Sequence, residues 1–166
     1  MIINIDITIQ TDDWLVILPN VEAEIYRITE QTLNFTNFTQ VASAIELSIV
    51  LTNDNAILKL NQEYRNKAVA TNVLSFPIQV IDPNNFNATI KHNDLVMLGD
   101  IVLSSETLVR EAQSQGKNFY EHFCHLLVHG ILHLLGYDHE HEQDAVLMES
   151  LEVDILKLFT IKSPYS

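Results

Sequence analysis

The stretch from Asn118 to His139, NFYEHFCHLLVHGILHLLGYDH, decides how the rest of the chain is read. Asn118 followed three residues later by Glu121 is a capping-box pattern, in which a side-chain oxygen accepts from an early backbone N–H of a helix. From there to Gly136, Phe119, Phe123, Leu126, Leu127, Val128, Ile131, Leu132, Leu134 and Leu135 leave little polar surface. A helix that is apolar nearly all round is a buried one. The exception is a stripe: at about 100° per residue, His122, His125, His129 and His133 fall within an arc of about 80°. The stretch therefore predicts a buried helix with one face of imidazoles.

Working outward, Ile3, Ile5, Ile7 and Ile9 alternate with polar residues, and Ile45, Leu47, Ile49 and Leu51 repeat that period of two, which marks strands with one buried face. Between them Val21, Ile25, Ile28 and Thr32 or Leu33 keep helical spacing after Pro19-Asn20. Thr52-Asn53-Asp54 can cap a helix on which Ile57, Leu60 and Tyr64 share a face, as far as Arg65-Asn66-Lys67. Residues 72–76 and 96–103 read as inner strands, with 78–95 between them as a long surface loop. Ser104 or Ser105 caps a helix to about Gln113, ended by Gly116. A last helix turns Leu147, Leu151, Ile155 and Leu158 inward, and its acidic residues Asp144, Glu149, Glu152 and Asp154 read as a solvated face. The expected fold is α+β: a single domain over 1–166, with a mixed sheet of about four strands packed on helices and the His-striped helix buried against it.

Composition narrows the function. Of 166 residues 47% are apolar, and 22 Asp plus Glu against 9 Lys plus Arg give a net charge of −13. That apolar content excludes disorder, and that charge excludes a generally basic nucleic-acid surface while leaving room for a small anion site. Lys59, Arg65 and Lys67 are the one basic cluster in sequence. The single cysteine, Cys124, has no internal disulfide partner and sits among apolar residues, as a core residue does in a reducing compartment. No run of about 18 apolar residues and no basic leader are present, so a cytoplasmic, membrane-free protein is expected.

The chemistry resides in three histidines. His129 and His133, four apart on a helix, aim both rings the same way, and Gly136 stands where a left-handed residue turns the chain back to bring His139 to them. Three imidazoles with a fourth position open to water are the ligand set of a catalytic zinc, one ion per chain. In shuffled chains of this composition the spacing would arise roughly twice in ten thousand. His125, one turn earlier, suits a supporting role, since a fourth protein ligand would close the site; His122, His92 and His141 suit ordinary surface or packing roles. Asp100 and Asp138 are carboxylates that can orient a ligand histidine.

The same offsets occur in the elongated zinc motif of metzincin peptidases, H-E-x-x-H-x-x-G-x-x-H, and the fold expected is zincin-like, in which a strand such as Leu74-Ser75-Phe76 can line the cleft. Here Gly130 replaces the glutamate that serves as general base, which removes the usual peptidase mechanism. A helical glycine costs about 1 kcal/mol relative to alanine, so Gly130 implies either close packing or room for substrate, and the missing charge beside a metal favours a phosphate.

Together with Asn61-Gln62-Glu63-Tyr64-Arg65, Thr71-Asn72-Val73-Leu74-Ser75-Phe76-Pro77 and Leu98-Gly99-Asp100-Ile101, the string His129 to His139 resembles the bacterial YbeY family of metal-dependent endoribonucleases, in order from about residue 44 to 158. Many members have Asp where this chain has Asn72. The resemblance implies a zinc-like metal on His129, His133 and His139, with Arg65 as a catalytic residue beside it. It also implies cleavage of single-stranded RNA, maturation of the 3′ end of small-subunit (16S) ribosomal RNA, ribosome quality control, and the small ribosomal subunit with its proteins as partner, with no DNA. A guanidinium suits such chemistry because it stays charged and forks onto two phosphate oxygens. Two rivals stand beside this reading: a ribosome-assembly factor whose metal is structural, and a zinc metallopeptidase, disfavoured by the absence of Glu at position 130.

Overall fold

The alternating isoleucines form β1 (Ile2–Ile9), which runs parallel to β2 (Ala44–Thr52) with Ile5 opposite Leu47 and Ile7 opposite Ile49. β2 in turn runs parallel to β4 (Leu95–Ser104), and β3 (Val73–Pro77) joins the far edge antiparallel, giving a mixed sheet in the order β1-β2-β4-β3. The computed structural model describes residues 2–91 and 95–166. Helices α1 (Asp13–Ile17) and α2 (Val21–Phe35) link β1 to β2, α3 (Asp54–Arg65) links β2 to β3, and α4 (Ser105–Gln115), α5 (Phe119–Leu134) and α6 (Glu142–Lys157) follow β4. The α+β fold with a four-stranded mixed sheet is therefore the one the sequence predicts.

The two sheet faces are covered unequally. Ile45, Ile49, Leu51, Leu98, Ile101 and Leu103 face the main core, shared with Ile25, Ile28 and Leu33 of α2 and with Phe123, Leu127 and Ile131 of α5. On the other face α3 lays Ile57 over Leu74 and Val102, with Leu60 and Phe76 at its margin. α5 is the central helix, in contact with α2, α4, α6, β3 and β4. Its start is capped as expected, the Asn118 side chain accepting from the Glu121 backbone N–H at 2.8 Å. Among the described residues no helix is long and apolar enough to cross a membrane.

Two expectations need correction, and one element was not foreseen. The buried side of α6 carries Met148, Glu152, Ile155 and Leu156, whereas Leu147 and Leu158 are exposed. Both sets keep helical spacing, and packing against α5 selects one. The segment after β3 is less superficial than its polarity suggests: Ile81 and Ile90 are buried, and Phe86 meets Phe38 edge-on at 4.9 Å. Residues 92–94 of that segment, His92 among them, lie outside the described residues. The short helix α1 carries no amphipathic repeat, and it exists to seat Trp14, fully buried, with its indole N–H on Thr52 O at 2.9 Å.

Candidate active site

α5 approaches the sheet closely at Gly130. A Cβ there would meet Ile101 Cγ2 at 3.1 Å and Ser75 Oγ at 3.2 Å, and the Ser75 hydroxyl donates to Gly130 O at 3.3 Å. Of the two explanations for this glycine, packing is the one observed. The close approach sets His129 and His133 beside the edge strand β3. One turn later Gly136 takes φ +98°, and the bonds from Gly136 N to His133 O and from Tyr137 N to Leu132 O complete a Schellman cap. A Cβ at Gly136 would lie 2.0 Å from Ile81 O, so the turn is pressed against the loop after β3 as well. The reversed chain brings His139 back, and Asp138 Oδ1 accepts from the His139 backbone N–H at 2.7 Å.

His129, His133 and His139 thereby each offer a ring nitrogen within 4.8 Å of the others. Their centroids lie 4.5 Å (His129 to His133), 5.6 Å (His129 to His139) and 5.0 Å (His133 to His139) apart. His133 Nδ1 donates to Tyr137 O at 2.9 Å and His129 Nδ1 to a Glu152 carboxylate oxygen at 2.9 Å. In the neutral form of each ring the lone pair is then on Nε2, and those two atoms face each other at 3.0 Å. Burial, with the neighbouring His129 and His139, pushes the His133 pKa down to about 4, so its ring is neutral at pH 7. Lone pairs that close repel unless a proton or a metal ion lies between them. The donor set thus fits a divalent metal with imidazole ligands.

The three rings line a cavity of about 680 Å³ whose opposite wall is Asn72, Val73, Leu74 and Ser75, with Arg65 at the rim. Arg65 Nη2 donates to Ser75 O at 2.9 Å, and its guanidinium carbon lies 5.0 Å above the Phe76 ring. Asn72 donates to Glu111 at 2.9 Å and accepts from Val73 N at 2.7 Å. The carboxylates lining this cavity are Asp138 and Glu140, both in the turn after Gly136, and position 130 supplies none.

Other candidates fall elsewhere. Asp100 bonds Ser48 on the outer face of the sheet, away from this cavity. Lys59 lines a separate cavity with Gln10, Val50 and Val102; six helical positions put it about 120° around α3 from Arg65, so the cluster seen in sequence is not one in space. His122 is buried against Glu111 at 2.9 Å, and His141 is exposed at the start of α6. His125 turns its Nε2 to Glu152 at 3.0 Å and stays out of the three-ring group.

Glu152 is the residue that sequence reasoning missed. Placed among surface acids, it is in fact 1% exposed. Burial pushes its carboxyl up, but the bonds from His125 and His129 outweigh this and hold it at about 2. The available signal was its position in the stripe Met148, Glu152, Ile155, since a carboxylate inside a buried stripe must have partners.

The family model described as Endoribonuclease YbeY matches residues 8–160. The Endoribonuclease YbeY of Bartonella bacilliformis is 45% identical over 168 residues, spanning 99% of this chain and 98% of that one. That of Bartonella quintana is 41% identical over 171 residues, with the same coverage. A Thermotoga maritima protein known from a solution structure aligns over 96% of this chain and 92% of that one with a TM-score of 0.55 at 18% identity, a likeness of fold.

Proposed function

The chain belongs to the Endoribonuclease YbeY family, and from that premise we propose that residues 1–166 act as one domain, a zinc-dependent endoribonuclease. Its substrate is single-stranded RNA, and its place is the cytoplasm, in maturation of the 3′ end of small-subunit (16S) ribosomal RNA and in ribosome quality control. The observation that carries the reading is the pair of Nε2 atoms 3.0 Å apart, with His139 beside them, on the wall of a cavity that Arg65 shares. His129, His133 and His139 would hold one zinc ion per chain, which when bound supplies a Lewis acid for a phosphoryl oxygen or a water of lowered pKa.

The chain's own residues do the rest. Arg65 has one hydrogen bond among the described residues, to Ser75 O, so further N–H groups of its fork are free to meet two phosphate oxygens as charge builds in the transition state. The Phe76 ring beneath it keeps that plane at the rim. Asp138, by accepting from the His139 backbone N–H, helps to fix the turn from which the third ring projects. The absence of a carboxylate at position 130 speaks against a peptidase. The open cavity beside the three rings speaks against a purely structural metal, whose site would be closed by a fourth protein ligand.

At a net charge of −13 the mean field repels a polyanion. With Lys59 on another face, Arg65 and Lys67 give a log-affinity against log-salt slope of only about −1.4 on a single strand. Efficient, site-selective cleavage then requires that the small ribosomal subunit and its proteins present the RNA. The test is metal content and RNA cleavage by rigorously purified protein, on one ribosomal RNA segment both naked and assembled, with and without chelator. Metal-dependent cleavage that rises on the assembled substrate is expected. A protein that takes up metal and melts higher with it, yet cuts neither substrate, would leave the structural-metal reading in its place.

A further inference from the structure

The Glu152 carboxylate receives three hydrogen bonds inside the fold. Oε1 accepts from His125 Nε2 at 3.0 Å and His129 Nδ1 at 2.9 Å, and Oε2 from the Tyr165 hydroxyl at 2.8 Å. An apolar side chain there would continue the face of Met148, Ile155 and Leu156 without the cost of burying a charge. The acid is therefore not explained by packing. What distinguishes it is its hold on His129. His133 gives its Nδ1 proton to a backbone carbonyl, an acceptor that no side-chain change removes, whereas His129 gives its own to this carboxylate. A charged acceptor makes the stronger bond and raises the basicity of the opposite ring nitrogen.

We propose that Glu152 is a positioning residue for His129: clamped by His125 and Tyr165, its carboxylate fixes the His129 ring in the Nδ1–H tautomer and aims Nε2 at His133 and the cleft. The assignment spans three elements, since α6 supplies the acid, α5 the two imidazoles, and the segment after α6 the tyrosine. Its consequence for metal binding rests on the reading given under Proposed function, and its consequence for the ring does not.

The test therefore has two arms. In the first, metal-free protein labelled with ¹⁵N histidine is observed by NMR at a pH where the rings are neutral. His129 should be the Nδ1–H tautomer in the unaltered chain and a tautomer mixture in Glu152→Ala. In the second, metal affinity is measured by competition of zinc with a chromophoric chelator. Glu152→Gln keeps the shape and one acceptor oxygen but loses the charge, and should weaken affinity by about 10- to 100-fold. Tyr165→Phe, which removes one donor from the clamp, should weaken it by about threefold. If Glu152→Ala does not fold, the Gln and Phe variants carry both arms. Unchanged tautomer and affinity in the folded variants, whatever their melting temperatures, overturn the proposal. An unaltered protein that takes up no zinc, but whose His129 tautomer depends on Glu152, sinks the metal reading and sustains this one.

Discussion

The contact at Gly130 yields a prediction whose magnitude follows from the structure. Replacing Gly130 by Ala in a helix interior is favourable by about 1 kcal/mol on propensity alone. Against that, the new methyl meets Ile101 Cγ2 at 3.1 Å, Ser75 Oγ at 3.2 Å and Ile101 Cδ1 at 3.3 Å. Ile101 cannot yield easily: it is fully buried, and its strand is fixed on one side opposite Ile49 and on the other opposite Ser75. Ser75 can rotate only by giving up its bond to Gly130 O. Overpacking of this kind costs about 2 kcal/mol, so Gly130→Ala should lose about 1 kcal/mol net and melt about 2–4 °C lower. Gly130→Glu should be far worse, because it forces an unpaired carboxylate into the interface of α5 with β3 and β4. It should not create a peptidase. The assay is thermal and urea unfolding of metal-free protein, so that altered metal uptake does not enter. Gly130→Ala protein as stable as the parent would refute the packing argument and return the glycine to a role in substrate space.

Arg65→Ala should leave metal content unchanged and the melting temperature nearly so, since the side chain is exposed, while RNA cleavage falls about a hundredfold, with poor rescue by Lys; parallel losses of stability and activity would make Arg65 structural. Gly136→Ala, with φ at +98° and a Cβ 2.0 Å from Ile81 O, should cost at least about 2 kcal/mol and reduce metal stoichiometry as His139 leaves the other rings, whereas full occupancy would show that the turn does not depend on the glycine. Burial raises the Asp54 carboxyl, but bonds from Ser104, Thr107 and Arg110 outweigh that and leave its pKa below the usual value. Its contribution to stability is then complete above the unfolded carboxylate pKa and is lost as pH falls through the lower folded one. Melting curves against pH should accordingly show a shallower acid limb for Asp54→Asn than for the parent.

What the sequence alone determined is whatever local geometry dictates. Period-two isoleucines can bury one side only as strands, so β1 and β2 were legible to within a residue or two. His129, His133, Gly136 and His139 were legible as a group because an i, i+4 pair and a left-handed cap place three rings together within a dozen residues, whatever else the chain does. Tertiary structure decided what depends on neighbours distant in sequence. α6 offers Leu147, Leu151, Ile155 and Leu158 as one apolar face and Met148, Glu152, Ile155 and Leu156 as another; contact with α5 and α2 buries the second, keeps Ile155 inside and leaves Leu147 and Leu158 out, which turns Glu152 from a surface acid into the acceptor for His129. Gly130 was open between packing and substrate until β3 and β4 closed on it at 3.1–3.3 Å. Lys59 and Arg65, neighbours in sequence, part because the helix that carries both turns them to different faces. A charge or a glycine has no fixed meaning until the surface opposite it exists, since the cost of burying the one and the space taken by the other are set by atoms far away in the chain.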